Sequence, residues 1–263
     1  MYRPTIKRKK TGVPVLSRKE IDIIGERLVQ DFCPDAVITP QEVDIDLFVQ
    51  DYLGADMDYQ YLSHCGVYLG MTVFNDTDKV PVFDPANNRA EYISARANTI
   101  IIDNTLLEAN QEHRYRFTTG HEAAHSYLHT DYFGYDPNQL TLFELLGDSV
   151  QAPMLQCRMD NKKIGTVSPK LWGDKEWMEW QANALSSAIL MPKSMVLKVA
   201  QDVAKTVSNK RVLAWNQVNK VSQIFNVSWE AASYRLKELG VIDKQQNVGE
   251  NALEAYLLSC CNF

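Results

Sequence analysis

Thr118-Thr119-Gly120-His121-Glu122-Ala123-Ala124-His125-Ser126-Tyr127-Leu128-His129 is the stretch on which the reading of this chain turns. Residues four apart on a helix share a face and lie about 6 Å apart along its axis, so the imidazoles of His121 and His125 can converge on one metal ion. Neutral histidine nitrogens suit zinc at about 2.0–2.1 Å. Glu122 then falls beside such an ion rather than on it. There its carboxylate can take a proton from an attacking water that the ion has made more acidic. The H-E-x-x-H spacing therefore marks His121 and His125 as candidate Zn2+ ligands and Glu122 as the candidate general base.

The surroundings agree with that reading. Thr99-Ile100-Ile101-Ile102-Asp103 reads as a buried strand, and a helical run follows through Leu106, Leu107, Tyr115 and Phe117. A strand feeding the motif helix is the setting a zincin site requires.

A catalytic zinc needs a third protein ligand and one open position. Asp131 stands where the extended H-E-x-x-H-x-x-G-x-x-H/D pattern would place it, but that pattern needs Gly at 128 for the chain to turn back. Leu128 stands there and favours helix continuation. His129 lies about 12 Å along a continuous helix from His121, too far to share the metal, and reads better as a residue supporting a ligand from behind. The stronger source is Glu176-Trp177-Met178-Glu179-Trp180-Gln181-Ala182-Asn183-Ala184-Leu185-Ser186-Ser187-Ala188-Ile189-Leu190. At 100° per residue Trp177, Trp180, Ala184, Leu185, Ala188 and Ile189 cover most of the circumference, leaving Glu179, Asn183 and Ser186 on a narrow polar stripe. A carboxylate on a buried helix needs a partner, and a metal is a good one. Glu179 is the expected third ligand, with Glu176 as the competing carboxylate. Asn183, one turn on, can bond a ligating imidazole or Glu179 itself.

With these residues in view, the chain resembles the ImmA/IrrE family of metallopeptidases. The resemblance rests on Asn98–Asp103, on Arg116–His125 with Leu128-His129, and on Glu179–Leu185 followed by Leu190-Met191-Pro192. It implies a gluzincin-type site in which His121, His125 and Glu179 bind zinc and Glu122 is the catalytic acid/base. It also implies a protein partner, a cognate helix-turn-helix repressor that is cut to relieve repression of mobile-element or stress genes. Many relatives carry Glu where Gln181 stands. Gln181 falls on the far side of the wheel from Glu179, so that difference need not empty the site. Tyr127, Tyr132, Tyr135 and His113 are the candidates for stabilising the oxyanion.

The 263 residues are 45% hydrophobic and carry a net charge of −6, which argues against a nucleic-acid coat or a polybasic membrane protein. Lys7, Arg8, Lys9 and Lys10 are followed by no apolar signal-like segment, and no apolar run reaches a membrane span. The five cysteines lack C-x-x-C spacing, so a reduced, cytoplasmic protein is expected.

Residues 1–17 read as a flexible basic arm and residues 18–195 as an α+β, zincin-like metallopeptidase domain. Ser17 with Glu20 caps a first helix ended by Pro34. Pro40 opens a second one that Gly54 stops. Runs at 67–69, 71–74 and 80–83 join 99–103 in one small mixed sheet. Residues 130–175 read as an irregular insert that covers or lines the site. Trp215–Phe225 and Trp229–Leu239, joined at Asn226-Val227-Ser228, give residues 205–245 a helix-turn-helix-like outline, with residues 246–263 as a tail. Arg235 and Lys237 are the only basic residues on the second of these helices. A packing or protein-docking role is therefore favoured there over DNA binding. The rival functions are a non-proteolytic regulator that binds DNA or a repressor, and a toxin–antitoxin or phage-defence component.

Overall fold

In the computed structural model, residues 1–133, 154–158, 171–207 and 209–249 are described. They divide into two compact units, one of Arg3–Ile21 and Asp44–Ser186 with Met1, the other of Asp22–Val43 and the chain from Ser187 onward with Tyr2.

Helix α1 (Arg18–Phe32) opens with a reciprocal cap. The Ser17 backbone N–H donates to Glu20 Oε2 at 2.7 Å, and the Glu20 N–H donates to Ser17 Oγ at 3.3 Å. Pro34 then begins a single 3-10 turn, Pro34–Val37. The second helix starts later than Pro40. Asp44 Oδ1 accepts from the N–H groups of Asp46 and Leu47, and this cap sets the start of α2 (Ile45–Leu47), which runs on as a π-helical stretch, Phe48–Tyr52. Gly54, at φ +66, turns the chain away.

The expected single sheet is two sheets. Strands β1 (Asp56–Gln60), β2 (Tyr68–Val73), β5 (Thr99–Asp103) and β6 (Met154–Arg158) form the order β1-β5-β2-β6, with β1 parallel to β5 and the other pairs antiparallel. Strands β3 (Thr77–Asp84) and β4 (Arg89–Ala95) pair, among the described residues, only with each other. Pro81 lies inside β3 and cannot donate to a ladder, so it suits a two-stranded ribbon better than a sheet centre. β5 is buried along its whole length, as its Thr-Ile-Ile-Ile-Asp sequence requires. β6 lies within the stretch expected to be irregular, and most of the rest of that insert is outside the described residues.

Between β5 and the motif helix the helical run is broken. A 3-10 turn, Asn104–Leu107, is followed by Asn110 at φ +67, and α3 begins only at Glu112 and continues to Phe133. It packs on β2 and β5.

The arm expected to be flexible is folded back as a small hairpin on this unit. Lys9 N–H donates to Val13 O and Val15 N–H to Lys7 O, both at 2.8 Å, and Val13 is fully buried with Phe74, Phe133 and Met178. Its basic residues find partners. Arg8 Nη1 donates to Leu128 O at 3.0 Å, its Nη2 lies 2.9 Å from Asp131, and Lys9 Nζ bonds Asp174 at 2.8 Å.

Helix α4 (Asp174–Leu190) lies in the first unit as far as Ser186 and ends before Pro192; in the second unit three helices follow among the described residues: α5 (Lys193–Thr206), α6 (Lys210–Phe225) and α7 (Trp229–Glu238). Asn226 at φ +50 makes the turn and Ser228 Oγ caps α7 by accepting from Ala231 N–H at 3.1 Å. Arg235 does not face outward. It is the largest fully buried side chain described, its Nη1 donates to Asp22 Oδ1 at 2.7 Å, and its Nε and Nη2 donate to Met191 O at 3.2 and 3.1 Å. The exposed residues of α7 are Glu230, Tyr234 and Glu238. Among the described residues no helix is long and apolar enough to cross a membrane.

Candidate metal centre

Helices α3 and α4 cross closely because the sequence leaves them room. A Cβ built on Gly120 would come within 2.6 Å of Ser186 Oγ, and that hydroxyl donates to Phe117 O at 3.1 Å. The crossing sets the polar stripe of α4 against the histidine face of α3. His121 Nε2 and His125 Nε2 lie 3.0 Å apart; Glu179 Oε2 is 3.4 Å from the first and Glu179 Oε1 3.5 Å from the second. Among the described residues these three form a group able to hold a metal ion. Ligands about 2.0–2.1 Å from a tetrahedral zinc stand about 3.3 Å from one another, so the spacing fits the ion without rearrangement. Glu179, its side chain 17% exposed beside two imidazoles at 1%, forms the solvent side of the cluster.

The electrostatics follow from burial and neighbours. Burial by itself raises the Glu179 carboxyl, but its contacts with His121 and His125 outweigh that and hold it far below the usual carboxylate range. Burial lowers His125, and lowers His129 further with help from its neighbour His125, so both rings favour the neutral form a metal ligand needs. Burial pushes Glu122 up to about 7, against the pull of His121 and of the hydrogen bond from Thr72.

Glu122 is held by strand β2. Thr72 Oγ1 donates to Glu122 Oε2 at 2.6 Å, while Oε1 is buried with no hydrogen-bond partner among the described residues. Gly70 lets the strand come this near, since a Cβ there would meet Glu122 Oε1 at 2.7 Å. Sequence reasoning missed both Thr72 and Gly70. The available signal was their i, i+2 spacing, which puts them on one face of a strand that must pack on the motif helix.

Asn183 and His129 lie behind the two imidazoles. His121 Nδ1 lies 2.9 Å from Asn183 Oδ1, and His125 Nδ1 lies 2.9 Å from His129 Nδ1. The competing carboxylate, Glu176, is exposed and accepts from Gly173 N–H at 3.0 Å, capping α4. Asp131 is paired with Arg8. The oxyanion candidates are scattered. Tyr127, about 120° round the helix from His121, lines a separate 270 Å³ pocket with Arg3, Arg8 and Asp131. Tyr132 packs against Phe133, His113 is exposed near the start of α3, and Tyr135 lies outside the described residues.

Residues 171–237 match the family model Peptidase M78, described as an IrrE N-terminal-like domain. This is the ImmA/IrrE family that the sequence resembles. The ImmA/IrrE match opens just before α4, carries Glu179 and Asn183, and runs to residue 237 in α7. It therefore spans the boundary expected between a peptidase domain and a helix-turn-helix-like region. A peptidase domain of that family implies a protein or peptide substrate. No curated protein matches the chain.

Proposed function

We propose that the chain is a zinc-dependent endopeptidase, with His121, His125 and Glu179 as ligands and Glu122 as general acid/base. The observation that carries the reading is the pairing of a three-ligand cluster with a buried carboxylate that keeps one oxygen unengaged. Zinc held there would polarise the scissile carbonyl and acidify the attacking water. Glu122 Oε1 takes the proton from that water and returns it to the leaving amine, while Thr72 keeps Oε2 occupied and the carboxylate aimed. Burial that raises the carboxyl toward neutrality suits a group that must both accept and release a proton.

The proposed substrate is a cognate helix-turn-helix repressor in the cytoplasm, as the family resemblance implies. A regulator that works by reading DNA through α7 draws little support from a helix whose Arg235 is buried and whose exposed charges are acidic. Glu122→Gln is the decisive variant. It is expected to bind zinc as wild type does and to leave candidate repressors intact in a cleavage assay. Cleavage at the wild-type rate by this variant would overturn the reading.

A further inference from the structure

The hydrogen bonds behind His125 continue beyond His129. His125 Nδ1 meets His129 Nδ1 at 2.9 Å, His129 Nε2 meets Gln181 Oε1 at 3.0 Å, and Gln181 Nε2 donates to Pro14 O at 2.7 Å. His125, His129 and Gln181 are buried to within 1%. The far end of this line is a carbonyl, which can only accept. Gln181 must therefore turn its NH2 to Pro14 and its oxygen to His129. His129 must carry its proton on Nε2, leaving a lone pair on Nδ1. His125 must in turn carry its proton on Nδ1, so its Nε2 presents a lone pair toward Glu179 and His121. Each contact holds one proton, and every ring nitrogen along the line has one role.

We infer that the N-terminal hairpin is a working part of the metal centre: through Gln181 and His129, the Pro14 carbonyl fixes the tautomer and ring orientation of His125. His129 and Gln181 are positioning residues and touch no reacting atom. The hairpin is itself fastened nearby, by Arg8 to Leu128 O and Asp131 and by Lys9 to Asp174, so the carbonyl is held where the line needs it. The inference rests on the proposed metal site, because a fixed tautomer matters only to a ligand.

The test is zinc affinity by competition with a chromophoric chelator, together with the visible absorption of the cobalt-substituted full-length protein. Four variants are compared with wild type after circular dichroism has shown them folded. His129→Leu and Gln181→Met break the line and are expected to weaken zinc about 10–100-fold, the usual effect of losing an outer support of a ligand, and to alter the cobalt spectrum. His129→Gln is close in size to His129→Leu but offers an acceptor and a donor, so it is expected to recover part of the loss. A role in packing alone would give no such recovery. Arg8→Met touches no residue of the line, only the fastening of the hairpin, and is expected to weaken zinc several-fold. Variants that bind within twofold of wild type with unchanged cobalt spectra overturn the inference and leave the metal site standing. Loss in His129→Leu without loss in Gln181→Met and Arg8→Met overturns the part given to the hairpin. Wild type that binds no zinc overturns the proposed function itself.

Discussion

Thr72 shows how one hydroxyl can decide the behaviour of the carboxylate proposed as general base. A buried carboxylate with two idle oxygens is free to rotate, whereas one with Oε2 held at 2.6 Å has only Oε1 to offer. Hydrogen bonds to charged groups are worth about 1.5–3 kcal/mol, so Thr72→Val should lower kcat about 10–100-fold while zinc content stays at the wild-type level. Steady-state kinetics beside elemental analysis will separate the two. At this scale the approach of Glu179, rather than Glu176, to His121 and His125 was legible, because helical periodicity alone decides which side chains share a face. Thr72 and Gly70 were not. They come from a strand whose partner helix is remote in sequence, and a pattern read along the chain carries no information on what crosses it. The long line from His125 to Pro14 was hidden for the same reason. Its last member belongs to a segment whose basic residues looked like a solvated tail until Asp131 and Asp174 supplied their counter-charges.

The crossing of α3 and α4 depends on the smallest residue in the motif. Alanine at 120 is ordinarily preferred to glycine inside a helix by about 1 kcal/mol, but here its methyl group would meet Ser186 Oγ at 2.6 Å. The sign of the change should therefore depend on its neighbour. Gly120→Ala alone should destabilise the protein by about 1–3 kcal/mol, as overpacking does, and the same change in a Ser186→Ala background should be neutral or stabilising. Chemical denaturation of the single and double variants gives the cycle directly. Elements with strong local signals were the readable ones: α1 from its Ser17–Glu20 cap, α7 from Ser228, β5 from its unbroken apolar run. β1 was not, since Asp-Met-Asp-Tyr-Gln has little strand character and is drawn into the sheet by pairing with β5. The start of α2 was misplaced because Pro40 looked like an opening, whereas the hydrogen-bond acceptor needed to begin a helix is at Asp44.

Across the whole molecule, the buried pair of Arg235 and Asp22 ties the last described helix to α1 within the second unit. Removing one partner strands the other charge in the interior. Arg235→Met should cost about 3–5 kcal/mol and lower Tm correspondingly, with part of the loss regained when Asp22 is also replaced by Leu. Thermal melts of the single and double variants test this. The two helices on either side of Asn226 were legible in sequence, but the placement of Arg235 was not, since periodicity cannot tell a guanidinium facing DNA from one facing a carboxylate inside the protein. The placement of His121 and His125 on one helix and Glu179 on another has a further consequence, for folding. An ion bound by all three would act as a clasp holding together residues on either side of 126–178, and because it binds the folded chain and not the unfolded one, its binding free energy adds to the stability of the fold. Stripping the protein with a chelator should then lower Tm and loosen α4 from α3 before the rest of the sheet gives way. Hydrogen exchange would report this as early loss of protection in residues 174–190.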